Sequence, residues 1–225
     1  MADAAADVGA MHLGALPRRD AEARARLAAV GNRVRPVVRA RDRALAVAGP
    51  LGSVLAQGVA RGSVVTVEGA MGAGATTLAL QLAAAATDAG EWAAAVEPDH
   101  TLGALAAREA GVALERFVVV RNVDGARVAA VTAALLDGVT CVVARAPNGW
   151  RIGDARRLVA RARERGAVLV VQGAWPESAT VRLRAEGGAW PGLDAGHGLL
   201  AARRVRVRAD GRGVGAREVV TDVAV

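Results

Sequence analysis

The stretch Ser63-Val-Val-Thr-Val-Glu-Gly69-Ala-Met-Gly72-Ala-Gly74-Ala75-Thr76-Thr77 decides the fold. A β-branched apolar run, a glycine-rich loop and an Ala/Leu-rich stretch predict a strand, a tight turn and a helix. The spacing matches the phosphate-binding loop G-x-x-x-x-G-K-[ST] except at the lysine position, which is Ala75. Thr76 stands at the metal-ligand position. Because 27 of the 225 residues are glycine, a chance match of glycine spacing is the alternative interpretation.

Short apolar runs alternate with helical stretches around this loop, as is typical of βαβ units. The pattern predicts strands at 63–68, 92–97, 116–121, 140–144 and 167–172, and helices at 75–86, 101–111, 126–137 and 152–165. Strands at 180–185, 203–209 and 218–223 follow without helices between them, and a turn at 210–213 joins the last pair. We therefore expect an α/β fold with a mostly parallel central sheet covered by helices, plus a β-rich antiparallel C-terminal edge.

This pattern also predicts the domain organisation. Residues 1–19 are expected to be a disordered lead-in, 20–48 a basic helical segment, 49–190 the core and 191–225 a β-rich extension.

Composition narrows the class of protein. All 29 basic residues are arginine and the net charge is +7, which favours an acidic partner such as nucleic acid. The single cysteine, Cys141, lies in an apolar run and has no disulfide partner, as is usual in a reducing cytoplasm. No apolar run reaches the ~18 residues of a membrane span, and the acidic start is unlike a signal peptide. We expect a cytoplasmic protein that does not contact membranes.

Four stretches resemble the core of RecA. The entry from Arg61 through the loop to Leu78 is the first, and Val96-Glu-Pro-Asp99-His100 resembles the segment that carries the water-activating glutamate, with Asp99 at its position. Thr140-Cys-Val-Val-Ala-Arg145 resembles the Walker B strand, with Arg145 where the metal-binding aspartate stands. Gln172, which ends Val168-Leu-Val-Val-Gln, matches the glutamine that senses nucleotide.

The resemblance implies a RecA-like fold whose catalytic groups have been lost. Lysine normally neutralises charge on the transferred phosphate, and the Walker B acid helps to hold Mg²⁺. With Ala75 and Arg145 in those positions, we expect no hydrolysis and no bound metal or cofactor, while weak nucleotide binding at Gly69, Gly72, Gly74, Thr76 and Thr77 stays open. Arg145 either binds a phosphate or carboxylate itself or is a solvated or salt-bridged arginine.

A closer resemblance is to the actinobacterial ImuA-type proteins, carried by Ala162-Arg-Glu-Arg-Gly-Ala-Val-Leu-Val-Val171 and by Trp190-Pro-Gly-Leu-Asp-Ala-Gly-His197 with the residues up to Arg204. It implies an adaptor for an ImuB-like polymerase homologue in the translesion-synthesis complex, within the SOS response to DNA damage. Direct DNA contact and self-association stay open. The alternatives are a weak ATPase of the RecA superfamily and a regulator that imitates RecA or acts as a SulA-like division inhibitor.

Arginines at period two in two predicted strands are candidates for binding DNA or a partner. Arg182 and Arg184 share one side of the first strand, and Arg204, Arg206 and Arg208 share one side of the second. A second stripe is predicted on the helix at Arg157, Arg161 and Arg165. In both cases a plain solvated face is the alternative.

The remaining candidates are weaker. Trp150, Trp175 and Trp190 are predicted in loops, where they could stack on bases or anchor a protein interface, whereas Trp92 is expected in the core. Asp194 and His197 have no nucleophile nearby in the sequence, so a glycine-rich turn is favoured there over acid–base chemistry.

Overall fold

The computed structural model describes residues 43–189, 193–194, 197–198, 203–212, 214 and 216–223. The strands are β1 Ala44–Leu45, β2 Val59–Ala60, β3 Val64–Gly69, β4 Ala93–Val96, β5 Phe117–Val120, β6 Cys141–Arg145, β7 Val168–Gln172, β8 Val181–Glu186, β9 Leu193–Asp194, β10 His197–Gly198, β11 Arg203–Gly211 and β12 Arg217–Val223. The helices are α1 Gly49–Val54, α2 Ala75–Asp88, α3 Ala104–Glu109, α4 Val128–Leu136 and α5 Ile152–Arg165. Single 3₁₀ turns, Leu114–Arg116 and Gly125–Arg127, precede β5 and α4.

The central sheet has eight strands in the order β12-β11-β8-β3-β7-β6-β4-β5. The six strands from β3 to β8 are parallel, whereas β11 pairs antiparallel with both β8 and β12. The predicted α/β class, mostly parallel sheet and antiparallel C-terminal edge are therefore confirmed. The long strands of the predicted extension, β11 and β12, continue the core sheet, and we name β8, β11 and β12 the antiparallel wing.

Alternation along the strands builds one apolar core on each face of the sheet. In β3, Val65 and Val67 pack with the Leu and Ala side chains of α2, whereas Val64 packs with Leu158 of α5 on the opposite face. Successive strand residues point to opposite faces, so a sheet covered on both sides must be apolar at almost every position. This requirement explains the continuous apolar runs of the central strands.

Most predicted helices form where the sequence places them, with two differences in length. Residues 152–165 form α5 with the predicted bounds, and Gly166 ends it in the left-handed conformation at φ 66°, a common helix stop. The helix predicted at 101–111 is shorter, because Thr101 hydrogen-bonds the Glu97 carboxylate and α3 begins only at Ala104. The helix predicted at 126–137 begins with a 3₁₀ turn capped by Asp124.

Two predictions are wrong. Trp92, expected in the core, is 47% exposed at the start of β4, because the strand is buried only from Ala93 onward. The segment predicted to be helical over 20–48 is not helical at its end, since Ala44–Leu45 pairs with Val59–Ala60 in a small antiparallel sheet whose strands are connected through α1. The rest of that segment and the predicted lead-in at 1–19 lie outside the described residues.

Among the described residues, no helix is both long and apolar enough to span a bilayer.

Candidate functional site at the carboxyl edge of the sheet

The glycine-rich loop joins the end of β3 to the start of α2. Gly72 and Gly74 adopt φ 73° and φ 99°, a region that other residues rarely enter. The turn is closed by a hydrogen bond from the Ala73 amide to the Ala70 carbonyl, 2.8 Å, and Gly74 precedes the first residue of the helix. The strand, loop and helix predicted from the sequence are all present.

Packing alone accounts for two of the loop glycines. A Cβ atom at Gly69 would lie 3.0 Å from the Ala185 carbonyl oxygen and 3.2 Å from the Ala73 Cβ, and one at Gly74 would lie 3.3 Å from Val205. A Cβ at either position would therefore press on β8 or β11 unless the neighbour moved by a few tenths of an ångström, whether or not a phosphate is bound. Contact with the antiparallel wing is thus an explanation of the glycine spacing that does not require anion binding.

The loop offers backbone amides and hydroxyls without a cation. Ala75 opens α2, Thr76 is exposed, Thr77 is half-buried, and Met71 is fully exposed at the tip of the loop. The first amides of a helix attract anions, an effect of roughly 0.3–1 kcal/mol at an exposed site. The loop residues 69–77 therefore offer an anion amides and hydroxyls but no positive charge of their own.

Asp99 and Arg145 form an ion pair at the same edge of the sheet. β4 and β6 are neighbours, with Val96 opposite Ala144, so the residues that follow them emerge side by side. The chain leaves β4 toward α3 and leaves β6 toward α5, which pack on opposite faces, and such a switch point is where open α/β sheets bind ligands. Of the two interpretations of Arg145, the structure supports the salt-bridged arginine.

Gln172 lies beside this ion pair. It ends β7, where it is opposite Arg145 of β6 and Val67 of β3. The structure thus brings Asp99, Arg145, Gln172 and the end of β3 to one edge of the sheet.

Glu97 is a site residue that the sequence analysis missed. Its side chain is buried, and one carboxylate oxygen accepts hydrogen bonds from the Thr101 amide, 2.9 Å, and the Thr101 hydroxyl, 3.2 Å. The other oxygen is buried and has no hydrogen-bond partner within the part of the chain that the structure describes. The next residues reach His100, which has a left-handed backbone at φ 56°. The available signal was an acid placed directly after a buried strand.

The predicted arginine stripe forms one exposed face of the antiparallel wing. β8 and β11 are neighbours, with Arg184 opposite Arg208, while Val205, Val207 and Leu183 point into the core. Four carboxylates are interleaved with the five arginines, and the ion pairs are Arg182–Asp210, Arg184–Glu68, Arg206–Glu218, Arg208–Glu186 and Arg208–Glu218. Glu218 and Glu186 raise the pKa of Arg208. The stripe is a mixed-charge ladder instead of a purely basic surface.

The helical stripe is occupied by local ion pairs. Arg161 and Arg165 both bind Asp137 at the end of α4, and Arg157 pairs with Asp154 one turn earlier. Arg161, helped by Arg165, lowers the pKa of Asp137. These contacts tie α5 to α4, which favours the structural interpretation of this face.

Trp150 and Trp175 contact each other, with ring centroids 5.4 Å apart in an edge-to-face arrangement. Both are half-buried against the core that α4 and α5 cover, and neither buried indole nitrogen has a hydrogen-bond partner among the described residues. The mutual contact and the packing against the core favour a structural role for this pair over stacking on bases. Trp190 lies outside the described residues. The backbones of Asp194 and His197 pair in the β9–β10 hairpin, as the predicted turn requires.

Within the described part of the chain, no three His, Cys, Asp or Glu side chains cluster closely enough to hold a metal ion. Cys141 is fully buried in β6, and burial raises the pKa of its thiol to about 12.

The family model of the MT3502 N-terminal domain matches residues 53–177, more than half of the chain. The chain belongs to the MT3502 N-terminal domain family. The matched span runs from within α1 through the loop, β4, β6 and β7 to the loop that contains Trp175. It therefore includes every candidate residue at the carboxyl edge, whereas the antiparallel wing lies beyond the MT3502 match. No curated protein matches the chain.

Proposed function

We propose that this protein is a RecA-like adaptor that does not hydrolyse nucleotide and that supports error-prone translesion synthesis by binding an ImuB-like polymerase homologue. The observation that carries the proposal is the ion pair between Asp99 and Arg145. By the resemblance, these two positions hold the water-activating acid and the metal-binding acid. An arginine bound to the remaining carboxylate leaves neither acid available for its task.

Charge at the loop supports the same conclusion. Phosphoryl transfer is accelerated mainly by cations placed on the phosphate oxygens, and losing such stabilisation costs about 10²-fold or more in rate. Ala75 supplies no cation, and Arg145 is engaged by Asp99. We therefore place the function on the outer surfaces of the domain and not at the glycine-rich loop.

The mixed charge of the antiparallel wing favours a protein partner over DNA as its main contact. Phosphate backbones attract arginines and repel carboxylates, and the four carboxylates on this face lie between the arginines. A partner protein with its own alternating charges can satisfy both signs, and such complementarity sets specificity and register. The support for direct DNA contact is the chain's net charge of +7.

Calorimetry with ATP and Mg²⁺, run beside a hydrolysis assay, tests the missing catalytic function. We expect weak binding or none, and no turnover. Ala75→Lys should strengthen ATP binding about tenfold by restoring one charge-assisted contact, still without turnover, because Arg145 remains. Turnover by the natural chain that Gly74→Val abolishes would instead support the weak ATPase.

Association with an ImuB-like protein tests the adaptor role. We expect the two purified proteins to co-elute, and Arg206→Glu with Arg208→Glu to weaken the complex. Arg163→Glu is the matched control, since Arg163 is an exposed arginine on α5, outside the wing. Absence of a complex between the natural chain and the ImuB-like protein would overturn the proposal. If Arg163→Glu weakened the complex equally, the antiparallel wing would not be the partner-binding surface.

A further inference from the structure

A cavity lies away from the glycine-rich loop, at the opposite edge of the sheet. It has a volume of about 200 Å³ and is bounded by the β1–β2 sheet, the end of α1, the start of β8 and the β11–β12 turn. β8 runs parallel to β3, so its first residues, Thr180 and Val181, are at the end of the sheet farthest from the loop.

Three arginines line this cavity, namely Arg43, Arg212 and Arg217. All three are exposed, and none forms an ion pair with any residue that the structure describes. No carboxylate from the described residues lines the cavity either. This absence of acids distinguishes it from the antiparallel wing, where arginines and carboxylates alternate.

The backbone holds two of these arginines in place. The Arg212 amide donates to the Thr180 carbonyl at 2.9 Å, and the Arg43 carbonyl accepts from the Arg61 amide at 2.8 Å. Glycine at position 211 allows the chain before Arg212 to approach Thr180 closely, because a Cβ there would lie 2.2 Å from the Thr180 carbonyl oxygen. The third, Arg217, is opposite Ala209 in the β11–β12 ladder. The main chains of these arginines are therefore fixed, while their guanidinium groups form no ion pair with a carboxylate of the described residues.

Apolar side chains form the other wall. Val54, Leu55 and Val181 are buried at 4% exposure or less and contribute to the cavity lining, with Val214 beside them.

The size of the cavity limits what it can bind. Pockets for whole small molecules are usually about 300–1,000 Å³, so this volume suits one or two side chains better than a nucleotide. Arginine forks bind carboxylates in pairs of hydrogen bonds.

We propose that this cavity binds an acidic peptide segment of a partner protein, taking an aspartate or glutamate carboxylate between the arginines and an adjacent aliphatic side chain against the apolar wall. The argument is charge complementarity together with size, and it stands independently of the RecA-like adaptor function.

Fluorescence anisotropy of a labelled Gly-Leu-Asp-Leu-Glu-Gly peptide tests the site on the full chain. We expect saturable binding that weakens as the salt concentration rises. The neutral Gly-Leu-Asn-Leu-Gln-Gly peptide should not bind. Arg212→Ala and Arg43→Ala should each weaken binding about tenfold, the usual effect of one charge-assisted contact. Arg163→Ala removes the same charge from an exposed arginine of α5 and should change binding less than twofold, while circular dichroism checks that each variant is folded.

Several results would overturn the proposal. They are no binding of the acidic peptide at millimolar concentration, equal loss of binding in Arg163→Ala, and equal binding of the Asn/Gln peptide. Binding of inorganic phosphate at the cavity arginines without binding of the peptide would also overturn it, and would identify a phosphate site instead. None of these outcomes depends on nucleotide hydrolysis or on the ImuB-like partner.

Discussion

The two edges of the parallel sheet differ in what their charged groups do. At the carboxyl edge, the loop after β3 has the glycine spacing of a phosphate-binding loop, but Ala75 brings no charge and Arg145 is paired with Asp99. At the amino edge, Arg43, Arg212 and Arg217 line a cavity to which the described residues contribute no carboxylate. The glycine-rich loop and the arginines that line a cavity are therefore found at opposite edges of the sheet.

Packing explains the shape of the glycine-rich loop without reference to a ligand. Gly69 and Gly74 fit against Ala185 and Val205, so the loop supports the junction between the core and the antiparallel wing. A substitution there is penalised by sterics even when no ligand binds. A glycine pattern alone thus indicates a fold more reliably than an activity.

The largest effect is expected at the amino edge, from Gly211→Ala. The added methyl group would lie 2.2 Å from the Thr180 carbonyl oxygen on a backbone at φ +144°, which should lower the free energy of unfolding by about 3 kcal/mol. Gly138→Ala, which meets nothing within 4 Å, should stay within about 0.5 kcal/mol. Urea denaturation of both variants measures the difference, and equal stability would contradict the close approach of β11 to β8.

At the carboxyl edge, Gly69→Val should cost about 2 kcal/mol, because its side chain meets the Ala185 carbonyl and the Ala73 methyl group. Gly72→Ala lies in the same loop and meets nothing within 4 Å, but its φ of +73° is left-handed. It should cost about 1 kcal/mol. If thermal melts place the two in the reverse order, packing does not explain the loop.

A smaller and pH-dependent effect is expected from Glu91→Gln. Arg61 donates two hydrogen bonds to Glu91, and Thr140 donates a third, so the starts of β3, β4 and β6 are tied together. The Arg61 contact, which outweighs partial burial, lowers the pKa of Glu91. A lowered pKa in the folded state means that the carboxylate stabilises the fold at neutral pH and stops doing so as the pH falls through that value.

Glu91→Gln should therefore lower the stability by about 1 kcal/mol at pH 7 and by less below about pH 4. Chemical denaturation at the two pH values measures the change. Glu115→Gln is a control at an exposed glutamate of the same edge. A difference between natural chain and variant that stays constant with pH would contradict the assigned pKa direction.

The smallest effect is expected from breaking the Asp99–Arg145 pair. The arginine side chain is about half exposed, and exposed pairs contribute about 0.5 kcal/mol. A double-mutant cycle of Asp99→Asn and Arg145→Gln should give a coupling energy of that size. A coupling of several kcal/mol would make the pair a structural element of the fold and would weaken its use as a sign of lost catalysis.

Local patterns made much of the fold predictable. The five central strands and α5 were located within one or two residues, because buried apolar runs end at glycine or charged residues such as Gly166. Trp92 was misplaced because an apolar side chain at the end of a run can lie beyond the buried part of its strand. Alternation in 203–209 correctly predicted which residues face the core, since it depends only on strand geometry.

The sites were less predictable because they depend on which strands are neighbours. Asp99 and Arg145 meet only since β4 lies beside β6, and the carboxylates fall between the wing arginines only in the register of β11 with β8 and β12. The amino-edge cavity combines residues from 43 to 217 that no local motif links. Glu97 could have been suspected from its position, but not its unpartnered oxygen.

The edge-to-face contact of Trp150 and Trp175 has an optical consequence. The chain contains no tyrosine and four tryptophans, so nearly all of its near-ultraviolet absorption comes from indole. Two indoles 5.4 Å apart couple their electronic transitions and should give a paired band in circular dichroism. One ring follows β6 and the other follows β7, so a change in this band would report, without any added label, on rearrangement beside Arg145 and Gln172.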